Sequence, residues 1–190
     1  LDFTTLTISS YGGSNNVSNL YSVEDGGDTF LVEGNTWVSA GLDYTINSNS
    51  TLEFDFLSTS QGEIHGIGFY FSSSAAESRT FKLFGTQGWG NKTFNTYAGN
   101  EGDWVHYTID IGKFYTGAFD RIFFVNDDDA DASGNSYFRN ITISGGVEVG
   151  PSEFDEGLPV INFDDLTFSS FSDQDYTPTV LDVDGSRIEM

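Results

Sequence analysis

Short segments in which apolar and polar residues alternate recur along nearly the whole chain, and helical periodicity is almost absent. In residues 51–57 (TLEFDFL), Leu52, Phe54 and Phe56 fall on one face of an extended chain and the two acidic residues on the other. This alternation predicts a half-buried antiparallel strand. Comparable segments occur at residues 3–8, 64–71, 79–84, 104–111 and 136–143, separated by turns rich in Gly, Asn, Ser and Asp. The pattern predicts an all-β chain of short antiparallel strands, folded as a β-sandwich.

The sequence also contains an internal repeat. Residues 161–171 (INFDDLTFSSF) match residues 1–11 (LDFTTLTISSY), and residues 184–190 match the turn and strand at 26–32. A fragment of this length cannot bury a core alone, so it must fray, add to an exposed sheet edge or exchange with a neighbouring molecule. We therefore predict a β-sandwich at 1–144, an acidic Gly/Pro linker at 145–160 and the truncated start of a second repeat at 161–190.

Composition removes several classes of function. The net charge is −22, Lys and Arg together number 7, and no basic residue precedes Arg79. Nucleic acid and anionic membranes need clustered cations, so neither is an expected partner. Aromatic residues make up 16% of the chain, which is too many for a disordered acidic protein. Such acidity suits an extracellular protein in salty, calcium-containing water, and Leu1 is consistent with removal of a signal peptide.

A dense cluster of acidic residues follows the apolar run Ile122 to Val125. The run itself predicts a buried strand. Residues 126–134 (NDDDADASG) predict a loop that holds four aspartates. Asp127, Asp129 and Asp131 alternate, so their carboxylates can converge on one Ca²⁺, which takes six to eight oxygen ligands. The alternative is an acidic loop that is simply solvated.

Sugar binding has its own candidates, because pyranose C–H faces pack on aromatic rings. Trp89 stands between two glycines in a polar loop, Trp37 follows a Gly-Asn turn, and Tyr97 lies later in the loop. Trp104 begins an alternating strand, and we expect it in the core. Further candidates to hydrogen-bond sugar hydroxyls are Gln87, Asn126 and Asp128.

Glu63 and His65 are two residues apart, so they share one face of a predicted strand. Neighbouring glycines leave room for something to approach closely. The pair could bind sugar hydroxyls, bind a metal or begin a catalytic site. The alternative is a polar stripe facing solvent on an antiparallel sheet.

Five segments together resemble a known class of protein: residues 23–37, 50–69, 81–90, 104–117 and 123–143. They are similar to the non-catalytic jelly-roll carbohydrate-binding modules attached, often in tandem, to polysaccharide-degrading enzymes of marine bacteria. The resemblance implies a jelly roll, a polysaccharide ligand, structural calcium, secretion and a catalytic module elsewhere in the parent chain.

The resemblance also points to a second calcium site. In a jelly roll the first and last strands often run side by side, so Asp2 or Asp25 could meet Asn140, with Glu24 beside them. Asn140 stands where many such modules carry an Asp ligand. The alternative is an ordinary Asp-Gly turn.

The sequence therefore predicts a calcium-assisted carbohydrate-binding module that holds a secreted enzyme on its substrate. The alternative is a calcium-rigidified repeat of an extracellular adhesin that binds no sugar. Catalysis lacks support, because no acidic pair stands out and no nucleophile motif occurs. The strong negative charge favours neutral or weakly charged glycans.

Overall fold

A computed structural model describes residues 1–13, 16–71, 77–148, 180–181 and 187–188. The chain divides into two compact units, Leu1–Pro151 and Ser152–Met190. In the second unit, strand β12 (Val180–Leu181) pairs antiparallel with β13 (Arg187–Ile188). The rest of the predicted second repeat, and with it the proposed strand exchange, lies outside the described residues. None of the described helices is long and apolar enough to cross a membrane.

The first unit is an antiparallel β-sandwich, as the sequence predicts. Its strands are β1 (Ile8–Ser10), β2 (Leu20–Glu24), β3 (Thr29–Glu33), β4 (Thr36–Ile46), β5 (Thr51–Leu57), β6 (Ile64–Tyr70), β7 (Thr80–Phe84), β8 (Val105–Ile109), β9 (Gly117–Asp127), β10 (Asn135–Ser144) and β11 (Val147–Glu148). Sheet A has the order β1-β4-β9-β6-β7, with β11 also on β4, and sheet B has the order β2-β3-β10-β5-β8.

The main core lies between the two sheets and is dominated by phenylalanine. Its largest members include Phe30, Phe54, Phe56, Phe69, Phe124 and Phe138, all fully buried. Burying one such side chain contributes roughly 1.5–3 kcal/mol, so this layer supplies most of the driving force for folding. In β5 every second residue faces this core, which explains why apolar and polar residues alternate in that segment.

Sheet A carries a second apolar cluster, and this cluster positions the site described below. Phe123 and Val125 of β9 alternate with the core residues on that strand and pack instead with Trp37, Ile64 and Tyr70. Tyr11 and Trp89 pack against the same cluster. Sheet A is therefore apolar on both faces, which explains why β9 appears in the sequence as a continuous apolar run rather than an alternating one.

The first strand and the acidic loop both differ from the sequence prediction. The first strand begins at Ile8 rather than Phe3, because the Asp2 carboxylate accepts hydrogen bonds from the backbone and hydroxyl of Thr4 and holds a turn there. The loop predicted at 126–134 starts later, since β9 continues to Asp127.

Candidate functional site

A cleft of about 240 Å³ lies at one end of sheet A. The antiparallel register places the start of β4, the start of β6 and the end of β9 side by side: Thr36 pairs with Asn126, and Ile64 pairs with Asp127. The loop after β7 closes the remaining side. The described residues that line the cleft are Trp37, Ile64, Gln87, Trp89, Asp127 and Asp129.

The two tryptophans of the cleft have different positions. Trp37 is only 5% exposed, and its indole Nε1 donates a hydrogen bond of 2.8 Å to Asp127 Oδ1. Trp89 is half-buried, and its ring centre lies 5.2 Å from that of Trp37. Trp37 therefore forms the wall of the cleft, whereas Trp89 offers an accessible ring.

The loop that carries Gln87 and Trp89 is held from below. The buried ammonium group of Lys82 donates hydrogen bonds to the carbonyl oxygens of Gly85, at 2.8 Å, and Gln87. Burial, with a smaller effect of Lys92, lowers the pKa of Lys82. The Gln87 backbone N–H also donates to the Glu63 carbonyl oxygen at 2.9 Å. These bonds fix the loop before any ligand arrives.

Three acidic residues, Glu63, Asp127 and Asp129, lie at or beside the cleft. Glu63 Oε2 accepts a hydrogen bond of 3.1 Å from the Asp129 backbone N–H, and hydrogen bonds from Gln87 and Asp129 lower the pKa of Glu63. A side-chain hydrogen bond with Glu63, together with repulsion from its charge, raises the pKa of Asp129. Burial raises the pKa of Asp127, with the charges of Glu63 and Asp128 adding to the effect and the bond from Trp37 opposing it. The rim of the cleft is therefore strongly acidic.

Two of the predicted ligand residues, His65 and Asn126, are fully buried and make their hydrogen bonds inside the protein, so they do not line the cleft. The His65 ring accepts a hydrogen bond from Gly62 N–H at Nε2 (2.7 Å), which leaves Nδ1 to donate to Ser136 Oγ at 2.7 Å. The Ser136 hydroxyl then donates to Asn126 Oδ1 at 2.8 Å. Burial, with repulsion from Lys82, lowers the pKa of His65 to about 3, so the ring stays neutral.

Tyr97 and Asp128 are also buried, against the prediction that they contact ligand. The Tyr97 hydroxyl accepts a hydrogen bond from the Ser58 backbone N–H at 2.9 Å and donates one to the Asp103 carbonyl oxygen at 2.8 Å. Tyr97 therefore anchors the loop between β7 and β8 to the sandwich. Asp128 Oδ2 accepts from the Gly134 backbone N–H at 2.7 Å and shapes the acidic turn.

The three alternating aspartates do not form a common centre. Asp127 faces Trp37, Asp129 faces Glu63, and Asp131 Oδ1 accepts from the Ser133 backbone N–H at 3.0 Å. In the described part of the chain, no three His, Asp or Glu side chains are arranged to hold a metal ion. The geometry is therefore a poor fit to the predicted calcium site, and calcium binding stays a prediction.

The second predicted calcium cluster separates into local hydrogen bonds. Asp25 accepts from Thr29 Oγ1 at 2.8 Å, Asp2 from Thr4, and Glu24 from Ser22 Oγ at 3.0 Å. Asn140 contacts a different residue: its side-chain amide donates a hydrogen bond to Asp55 Oδ2 at 2.7 Å. The sequence pattern had placed Asp55 on the polar face of a strand.

Asp55 is thus the centre of a cluster of hydrogen bonds and ion pairs that the sequence did not predict. Burial acts to raise its pKa, but hydrogen bonds from His106, Asn140 and Arg139 outweigh burial and lower it. His106 Nδ1 lies 2.8 Å from Asp55 Oδ1. No signal in the sequence pairs these residues, because the contact depends on the register of β5 with β8 and on a bulge in β10.

No protein-family model matches the chain, and no curated protein matches it in sequence. The chain is similar in structure to the Endo-D glycoside hydrolase domain of Streptococcus pneumoniae, with a TM-score of 0.43 and 12% identity over 73% of this chain and 21% of that one. It is similar to the family 30 carbohydrate-binding module of a cellulosomal cellulase of Clostridium thermocellum, with a TM-score of 0.39 and 16% identity over 73% of this chain and 90% of the other. A further family 30 module gives a TM-score of 0.36 and 15% identity over 78% of each chain. At these scores none of the likenesses carries an argument about function.

Proposed function

We propose that the chain is a non-catalytic carbohydrate-binding module whose ligand site is the cleft at the end of sheet A. The observation that carries the proposal is the half-buried ring of Trp89, backed by the wall of Trp37 and bordered by the Gln87 amide and the Asp129 carboxylate. An accessible aromatic ring beside hydrogen-bonding side chains is the combination that a sugar ring requires.

Each part of a sugar has a complementary group in this arrangement. The apolar C–H face packs on the Trp89 indole, and the hydroxyls hydrogen-bond with the amide and carboxylate groups. At about 240 Å³ the cleft is smaller than typical ligand pockets of roughly 300–1,000 Å³. It therefore takes a short part of a glycan, with the remainder of the polymer on the open surface.

The biological role that we propose is attachment. The module holds a secreted polysaccharide-degrading enzyme on its substrate, with the chemistry carried out elsewhere in the parent chain. The loop that carries Gln87 and Trp89 is already held in place, which supports such a role. A preformed site loses little binding free energy to ordering on binding.

The test is affinity electrophoresis of the full chain in gels that contain polysaccharides of several charge classes, from neutral plant or algal glycans to cationic ones. We expect Trp89→Ala to weaken binding about tenfold or more, which corresponds to about 1.4 kcal/mol. Trp104→Ala is the matched control: Trp104 is also half-buried, but it lies under the Arg139 guanidinium, 3.9 Å from the ring centre. Loss of binding in the Trp104 variant alone would place the site elsewhere.

Repeating the gels with EDTA tests calcium assistance. Weaker binding in EDTA would support the calcium prediction. If no polysaccharide binds and calcium greatly raises the melting temperature, the chain is better described as a rigidified adhesin repeat.

A further inference from the structure

Among the described residues, the ionisable side chains that line the cleft are all acidic. These residues are Asp127 and Asp129, and Glu63 Oε2 accepts a hydrogen bond from the Asp129 backbone N–H. The nearby cation Lys82 turns its ammonium group toward backbone carbonyls under the loop. Lys92 lies close to Gly88 and is exposed to solvent. Neither lysine lines the cleft, so a ligand meets an aromatic ring and a negative potential together.

We propose that the cleft selects a sugar that carries a free, protonated amine, as in a cationic polysaccharide built from non-acetylated amino sugars. This inference rests on the proposed function, and it specifies the class of glycan that the cleft takes. The combination of an accessible indole and two lining carboxylates carries the inference.

A protonated amine satisfies both groups at once. Its N–H bonds donate to carboxylate oxygens at the short distances of charge-assisted hydrogen bonds, about 2.7–2.9 Å. The positive charge is also attracted to the face of an aromatic ring, most strongly to that of tryptophan. A neutral sugar leaves Asp129 and Glu63 repelling each other, and that repulsion contributes to the raised pKa of Asp129. The amine relieves it.

A metal ion is the competing occupant, and the geometry disfavours it. Calcium takes six to eight oxygen ligands, whereas an ammonium group needs only two or three acceptors. The described side chains include no group of three acidic or histidine residues arranged to hold a metal ion. An indole ring contributes nothing to calcium coordination but does stabilise an organic cation.

The test compares two oligosaccharides of equal length, one a glucosamine oligomer and the other its fully N-acetylated form. Binding to the full chain is measured by titration calorimetry at mildly acidic pH, where the amine is protonated. We expect the amine form to bind at least about tenfold more tightly. Asp129→Asn and Glu63→Gln should remove most of that preference. Asp28→Asn makes the same change of charge at an exposed residue that does not line the cleft, and it should keep the preference.

A protein of net charge −22 attracts any cationic oligomer, so one variant separates the cleft from the overall field. Binding at the cleft is lost in Trp89→Ala, whereas general attraction survives it. Survival in that variant, or a preference strengthened by added calcium, overturns the inference. Equal, Trp89-dependent binding of the two oligomers also overturns it but leaves the proposed function standing. If no oligosaccharide or polysaccharide binds, both fail.

Discussion

Acidification from about pH 7.5 to pH 5 is expected to destabilise the protein chiefly through one buried side chain, His65. The ring is fully buried, and its Nε2 accepts a hydrogen bond from Gly62 N–H, which only the neutral form can do, while Nδ1 donates to Ser136 Oγ. Burial and the charge of Lys82 lower its pKa from the ordinary 6.5 to about 3. In the unfolded chain the same ring takes up a proton near pH 6.5.

The direction and size of the effect follow from these two values. Because the folded pKa lies below the unfolded one, the unfolded state binds more protons between about pH 6.5 and pH 3, and stability falls as pH falls. The contribution is complete above the unfolded pKa and is lost progressively down to the folded pKa. Each pH unit inside this window costs about 1.4 kcal/mol, so the loss at pH 5 is about 2 kcal/mol.

The assay is urea unfolding of the full chain at several pH values in this range, followed by tryptophan fluorescence. His65→Gln should lose the dependence between pH 6.5 and 5, whatever its stability at pH 7.5. His106→Gln is the matched control, because that ring is on the surface beside Asp55. The carboxylates with lowered pKa values, Asp2, Asp55 and Glu63, lose their contributions mainly below this range.

Two results would refute this account. Because the raised pKa values of Asp127 and Asp129 oppose the loss in the wild type, the decisive comparison is with the variant: a His65→Gln stability that falls between pH 6.5 and 5 as steeply as that of the wild type would mean that His65 is not held neutral in the folded state. A dependence that persists in His65→Gln but disappears in His106→Gln would assign the titration to the surface pair.

Two further predictions concern packing and are measured by the same urea unfolding at neutral pH. Tyr97→Phe should cost about 1–3 kcal/mol, because it leaves the buried N–H of Ser58 without the hydroxyl that accepts its hydrogen bond; an unchanged stability would contradict the anchoring role. Gly68→Ala should cost about 3 kcal/mol or more, because the new Cβ would lie 2.2 Å from the Arg79 carbonyl oxygen. Gly88→Ala is its control, since the nearest atom there is the mobile Nζ of Lys92 at 3.3 Å, and equal losses in the two variants would contradict the steric argument.

The alternation of apolar residues was sufficient to predict the fold class. It worked best where one face of a strand meets the core and the other meets solvent, as in β5. It failed for β2, an edge strand whose apolar residues Leu20 and Tyr21 are exposed, so that burial left no pattern to detect. It also failed for His65, since β6 is covered on both faces and no polar stripe exists there.

The site was predicted only in part, for a related reason. Five of the candidates chosen by residue type lie in one cleft: Trp37, Trp89, Gln87, Asp127 and Asp129. Nothing in the sequence indicated that the aromatic candidates meet the acidic ones, because their proximity depends on strand register. Residue type alone also could not separate them from the buried candidates, which have the same chemistry but serve the interior.

The close approach of the two indoles in the cleft has an optical consequence. Ring centres 5.2 Å apart, with planes inclined at 58°, are near enough for the two chromophores to couple and to give a paired positive and negative band in circular dichroism. The remaining tryptophan, Trp104, lies under a guanidinium group elsewhere and does not share this coupling. The cleft therefore carries a built-in spectroscopic reporter, whose signal responds to any ligand that shifts the Trp89 ring and requires no attached label.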